Sequence, residues 1–376
     1  MVAIETDVCI VGAGPGGALL GLLLARLGVS IILLERHGTI NKEFRGEHLN
    51  QEGKEVLEAV GLYDSLQNLG ILPMELVEYV KKGNVIKTIY PEYPVTHTGI
   101  HVPQKHLLKT ILDEALKYPN FQLHMNSRVI DIVESSSTGS SDVIALMDGM
   151  EVKVKSKIIV GADGRFSIIR KKAAFPVVTI RHGYDLLWAK IPAPKFWKPT
   201  IKMALANGKQ LALFTQYGNY VQIGWNIEED SYSSIRKGSF QAFIDALVEE
   251  VPELKGSVNK HIQSWDDFVL LKVVSSKSPN WVKKNIVLLG DAAHTMSPTG
   301  AFGLNCALKD AYMLSGIISE IIREKEGLDS LKIYEEKRKV EVEAIHLEQF
   351  RREANFGSHF LMGEKEKEFV GGVMEG

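Results

Sequence analysis

Val8-Cys9-Ile10-Val11-Gly12-Ala13-Gly14-Pro15-Gly16-Gly17 is the stretch that decides the fold. Four apolar residues run straight into a GxGxxG turn at Gly12, Gly14 and Gly17. A helix of Leu, Ala and Gly follows from Ala18, and a second apolar run, Ser30 to Leu34, ends in Glu35. Strand, glycine turn, helix, strand and terminal carboxylate together make a dinucleotide-binding unit. The glycines allow a tight turn and let backbone N–H groups approach a pyrophosphate at the positive end of the helix. The carboxylate accepts hydrogen bonds from a ribose.

The rest of the composition narrows the setting. A chain of 376 residues is long enough for two domains with a substantial core. The formal charge is −2 and no segment concentrates Lys and Arg, so neither a nucleic-acid partner nor an acidic membrane surface is expected. Two cysteines, Cys9 and Cys306, give no disulfide framework, and a cytoplasmic location is expected. The first strand begins within a few residues of Met1, which predicts no export signal. The longest apolar run, Ala18 to Leu34, is broken by Arg26, Gly28 and Ser30 and reads as helix plus strand rather than a membrane span. No metal-ligand set is expected.

Beyond Glu35 a polar connection containing Arg45 leads to a helix around Gln51 to Val60, stopped at Gly61. A helix from about Gln104 to Lys117 follows, with Leu107, Leu108, Ile111 and Leu112 at helical spacing. Short β-runs, separated by the loop Ser135 to Ser141 and by Asp148-Gly149, then lead to Ile158-Ile159-Val160-Gly161-Ala162-Asp163-Gly164. Alternating patterns at Gln210 to Thr215 and Tyr220 to Ile227, with a helix at Phe240 to Glu250, read as an inserted, mainly β substrate domain. Ile286 to Leu289 is a third strand ending in a carboxylate, Gly290-Asp291-Ala292-Ala293-His294, and a long helix follows. The expected division is a discontinuous nucleotide domain (1–75, 98–175, 278–328), a substrate domain (76–97, 176–277) and a C-terminal helical segment (329–376) read as a solvated surface helix.

Strands ending at Gly12, Asp163 and Asp291 would align their C-terminal edges in one parallel sheet, where open α/β folds bind ligands. With these three motifs the sequence resembles the class A flavoprotein monooxygenases, the family of para-hydroxybenzoate hydroxylase and of ubiquinone-pathway and polyketide aromatic hydroxylases. The first motif is Gly12 to Gly17 with Glu35. The second is Gly161-Ala162-Asp163-Gly164-Arg165 with the trailing Ser167 and Arg170. The third is Gly290 to His294 with Pro298-Thr299-Gly300-Ala301-Phe302-Gly303-Leu304-Asn305.

The resemblance implies a Rossmann-like FAD-binding domain with a parallel sheet and an inserted β domain. It also implies a hydroxylase that uses NADH or NADPH and O2 and acts through a flavin hydroperoxide on an aromatic or other electron-rich small molecule. Implied cofactor contacts are Gly12, Gly14, Pro15, Gly17, Glu35 on the adenosine ribose with Arg36 beside it, Arg45 on the pyrophosphate, and Gln104 on the ribityl hydroxyls. Val129 would meet the adenine, Asp163 would order the pyrophosphate region, and Asp291 would hold the ribityl chain. Pro298, Gly300, Gly303, Leu304 and Asn305 would lie beside the isoalloxazine. Asp163 and Asp291 each also fit an ordinary helix N-cap, His294 a loop support, and Cys306 a small apolar helix residue.

Candidate substrate contacts are His48, Tyr217, Tyr220 and Trp225, with Gln222, His182 and Trp188 in second rank; each aromatic also fits the β core. The flavin carries the chemistry, so no protein residue is assigned as catalytic. Rival readings are a halogenase, whose WxWxIP text is not matched by Leu187-Trp188-Ala189-Lys190-Ile191-Pro192, a geranylgeranyl-reductase-like enzyme, and a non-catalytic flavin- or ligand-binding paralogue.

Overall fold

The computed structural model describes residues 2–40, 47–134 and 140–360. The described residues form two compact units. One comprises Met1–Leu69, Gln104–Ile180 and Val274–Leu347; the other comprises Gly70–Pro103, Arg181–Val273 and the described residues from Glu348 on.

The first unit is built on a parallel sheet. Strand Val2–Val11 pairs in parallel with Ile31–Leu34 on one side and with Met150–Gly161 on the other, and Met150–Gly161 pairs in parallel with Ile286–Leu288. Phe121–His124 extends the sheet beyond Ile31–Leu34, again in parallel. Ile10, Ile32, Val160 and Val287 are all buried, as expected for strands covered on both faces. The register Val11↔Gly161 and Gly161↔Leu288 brings the three motif-bearing strand ends side by side. Ser127–Glu134 and Ser141–Met147 form an antiparallel extension that feeds Met150–Gly161. Helix Pro15–Arg26 packs against this sheet, with Leu19, Leu20, Leu22 and Leu24 buried.

The second unit holds a largely antiparallel sheet. Val178–Pro192, Tyr220–Glu228, Lys209–Gln216 and Thr200–Ala206 pair in that spatial order, and Leu76–Lys81 joins in parallel. Leu187, Leu213, Ile223 and Trp225 share one face and pack against helix Phe240–Glu250 through Ile244 and Leu247.

The C-terminal segment corrects the expectation. It is not a separate solvated helix: Leu331–Asn355 runs as one helix from the first unit into the second. Leu331, Tyr334, Arg338, Val342, His346 and Gln349 form a buried stripe along it. The stripe has helical spacing, but three of its members are polar, so apolar periodicity alone conceals it.

Candidate cofactor site

The glycine turn is shaped by its neighbours. Gly12 has φ +105°, and a Cβ there would fall 2.4 Å from the carbonyl oxygen of Ala162, so the first and second motifs meet backbone to backbone. A Cβ on Gly17 would fall 2.1 Å from the Gly12 carbonyl, which sets how closely the helix approaches the strand. Gly14 differs: it has an ordinary extended backbone, and its Cβ would meet no atom within 4 Å. The turn therefore closes on itself at two glycines and opens at the third. Pro15 occupies the first helical position, where its missing N–H costs nothing.

Glu35 is buried and its carboxylate accepts the N–H of Ala13 at 3.0 Å and of His37 at 3.0 Å. It fastens the glycine turn to the end of the second strand. Its main chain continues the link, since the Glu35 carbonyl accepts from Ser127 N at 2.8 Å. Val129 is buried two residues further along the strand that Ser127 begins. Arg36 is exposed and its Nε donates to His37. Arg45 lies outside the described residues.

Asp163 accepts from Ser167 Oγ at 2.5 Å and from the amides of Ile168 and Ile169 at 2.6 and 3.2 Å. Burial pushes its carboxyl above the usual range, against these three donors that favour its charged form. Its side chain orders the turn Gly161–Gly164 by holding the first amides of helix Ile168–Lys172. Arg170 crosses to the third motif: Nη1 donates to the Ala292 carbonyl and Nη2 to the Arg165 carbonyl, each at 2.7 Å. Burial lowers its guanidinium pKa while Asp163 and Asp291 oppose that drop.

In the third motif, Gly290 and Gly300 adopt positive φ, and Ala301 does so without being glycine. Helix Phe302–Ile322 starts there with no side-chain cap. A Cβ on Gly303 would lie 3.9 Å from Asp291 Oδ1, which places the carboxylate at an uncapped helix N-terminus. Leu304 is buried. Asn305 is committed to the protein: Oδ1 accepts Asn50 N at 3.0 Å, and Nδ2 donates to the carbonyls of His48 and Ala301 at 3.1 and 3.0 Å. Gln104, buried at the start of its helix, has an Oε1 with no partner among the described residues.

These features fit FAD. Gly14 leaves room beside a helix N-terminus for a pyrophosphate, and Gln104 Oε1 is a buried acceptor with no donor among the described residues. The uncapped start of Phe302–Ile322 offers amides and a positive dipole end to a reduced flavin, an effect of about 1 kcal/mol. Residues that would hold the group are the Gly12–Gly17 turn, Glu35, Gln104, Asp163, Asp291 and the 298–305 segment.

Among the substrate candidates, Trp225 is corrected. It is 1% exposed, stacks on Phe243 at 3.9 Å and donates Nε1 to the Ala206 carbonyl, so it belongs to the core on the helix-covered face. Tyr220 lies on the opposite face, half exposed under Lys190. Tyr217 packs on Gly70, whose Cβ would fall 2.2 Å from the ring, and its N–H donates to His101 Nδ1 at 3.0 Å. His182 pairs with Glu353 at 2.7 Å and stacks on Phe350. His48 belongs to the first unit and offers its carbonyl to Asn305.

His294 supports its loop. Its Nε2 lies 2.7 Å from Asp310 Oδ2, which also accepts Gly290 N at 3.0 Å, while Oδ1 accepts Arg338 Nε at 2.7 Å. Although burial pushes it up, His294 and Arg338 hold the Asp310 carboxyl at about 2. Asp310 and Arg338 escape sequence reading because one sits on a helix after the motif and the other on a charge-rich helix. Cys306 is buried and its thiol is pushed up to about 12, so it is inert as a thiolate.

Among the described residues no helix is long and apolar enough to cross a membrane, and no His/Cys/Asp/Glu group could hold a metal ion.

A family described as FAD binding domain matches residues 5–348. The 6-methylpretetramide 4-monooxygenase of Streptomyces rimosus is 31% identical over 326 residues, covering 86% of this chain and 77% of the relative. Pseudomonas aeruginosa PqsL, solved with 2-aminobenzoylacetate, superposes with a TM-score of 0.80 at 18% identity, covering 94% of this chain and 96% of that one. Aklavinone-11 hydroxylase with FAD and aklavinone gives 0.74 at 19%, covering 91% and 67%. The chain belongs to the class A flavoprotein monooxygenases and is an FAD-dependent enzyme.

Proposed function

We propose that the enzyme hydroxylates a neutral polycyclic aromatic substrate, with NADH or NADPH as transient reductant and O2 as the oxygen donor. The carrying observation is the chemistry of one face of the second-unit sheet. Strand register sets Trp188, Met203, Ala212, Phe214, Gln222 and Gly224 on the face opposite the helix-covered core. The ring of Trp188 lies over Gly224, where a Cβ would come within 3.0 Å of it. Gln216 Nε2 donates to Gln222 Oε1 and supplies a neutral amide pair. The described strand residues of this face include no arginine, and Lys190 at its end is engaged with the Tyr220 ring at 4.8 Å. Such a surface suits flat, uncharged rings and amide or phenol groups; it offers no bidentate partner for a benzoate carboxylate. The S. rimosus relative, named as a 6-methylpretetramide 4-monooxygenase, supports an amide-bearing substrate.

When bound, FAD supplies hydride acceptance and oxygen activation. The protein binds and orients: the first motif holds the dinucleotide, Asp291 and the uncapped helix start face the flavin end, and the amide pair fixes the substrate's polar groups. Only one GxGxxG turn is present, so the nicotinamide cofactor has no nucleotide-binding unit of its own.

The test is substrate-stimulated reduction. The holoenzyme is mixed anaerobically with NADPH or NADH and either a tetracyclic polyketide amide or a simple hydroxybenzoate, and flavin absorbance is followed. Acceleration by the polycyclic amide alone is expected; acceleration by hydroxybenzoate alone overturns the substrate class.

A further inference from the structure

Both ends of the loop that carries Asp291 are fastened to one buried carboxylate. Gly290 precedes Asp291 and donates its N–H to Asp310 Oδ2 at 3.0 Å; His294 follows it and places Nε2 2.7 Å from the same oxygen. Arg338 Nε holds Oδ1 at 2.7 Å. Asp310 is fully buried, and His294 and Arg338 are each 1% exposed.

Asp310 belongs to helix Phe302–Ile322, whose uncapped start lies beside Asp291. Tying the loop to this helix therefore fixes Asp291 beside the start of the helix. The C-terminal helix adds one hold on the strand that delivers the loop and another on the segment paired beside it. Tyr334 Oη donates to the Leu288 carbonyl at 3.2 Å, and Glu335 accepts the amides of Trp281 and Val282 at 2.9 and 3.0 Å.

A buried charge set is an expensive way to supply bulk stability. Apolar residues of similar volume commonly serve as well as a buried ion pair, whereas hydrogen-bonded charges fix orientation. The set even leaves His294 Nδ1 and Arg338 Nη2 buried without a partner among the described residues. Orientation of the loop is what the arrangement delivers.

We propose that Asp310, with His294 and Arg338 as its partners, is a positioning residue of the cofactor site, and that the C-terminal helix is thereby a structural part of that site. This rests on the reading of Asp291 as a cofactor contact.

The test compares Asp310→Asn, His294→Leu, His294→Gln and Asp291→Asn after removal and titration of FAD. Affinity, thermal unfolding of the FAD-free protein, and visible circular dichroism of the bound flavin at saturation are read. Asp310→Asn and His294→Leu are expected to weaken FAD binding by about 10-fold or more and to change the flavin dichroism. His294→Gln, which restores an N–H donor toward Asp310, is expected to stay within about 3-fold of the parent. If Asp310→Asn does not fold, the His294 pair carries the comparison. Unchanged affinity and dichroism in His294→Leu, with Asp291→Asn impaired, overturns the positioning role alone. Unchanged binding in Asp291→Asn overturns the site reading on which it rests.

Discussion

Arg170 donates from Nη1 to the carbonyl oxygen of Ala292 at 2.7 Å, which joins the turn after the second motif strand to the turn after the third. Its other terminal nitrogen holds the Arg165 carbonyl, so one side chain spans two loops expected to line the same cofactor. Arg170→Met keeps the stem and removes both bonds. It should cost about 1–3 kcal/mol of stability and weaken FAD binding. Denaturant unfolding with and without FAD checks this; unchanged values in both would show that the span is not used.

The glycine turn separates packing from ligand approach. Gly17→Ala puts a methyl 2.1 Å from the Gly12 carbonyl and should destabilise the free protein by more than about 2 kcal/mol. Gly14→Ala meets nothing and has a compatible backbone, so the free protein should unfold within about 1 kcal/mol of the parent. The methyl should nevertheless obstruct the pyrophosphate and raise the FAD dissociation constant. Equilibrium unfolding and FAD titration of the two variants give opposite rankings if this is right.

Asn305 ties the 48–50 segment to the start of helix Phe302–Ile322 through three bonds. Asn305→Asp replaces a double donor by an acceptor facing two carbonyls, and should be worse than Asn305→Ala, itself costing about 2 kcal/mol. Melting temperatures of the two variants test the order.

What was legible in the sequence follows from burial chemistry. The parallel strands are apolar and buried where they approach their C-terminal ends, because both faces are covered there, so Val8–Val11, Ile158–Val160 and Ile286–Leu288 stand out. The C-terminal helix reads as solvated in sequence because Arg338, His346 and Gln349 make up half of its buried stripe and mimic a surface face. Trp225 shares a strand with Tyr220 and Gln222, but the period of two along it sends Trp225 to the other face. The hydrogen-bond partners of Asp310 join residues far apart in the chain, and no local pattern reports them.

Acid sensitivity follows from Asp310. Its carboxyl, ordinarily near 3.8, is held at about 2, so its charged form stabilises the fold above about pH 4, and that contribution is lost as pH falls through 2. The contribution is on the order of 2 kcal/mol. Unfolding free energies measured from pH 5 downward should fall, and Asp310→Asn should flatten that slope; an equal slope in both would assign the acid sensitivity elsewhere.

The central claim is oxygen insertion by a flavoprotein. The most direct measurement incubates the holoenzyme with NADPH or NADH, a tetracyclic polyketide amide and 18O-labelled O2, followed by mass analysis of the product. One 18O atom per product molecule is expected. A product that has gained hydrogen instead of oxygen, or oxygen drawn from unlabelled water, would contradict the monooxygenase account.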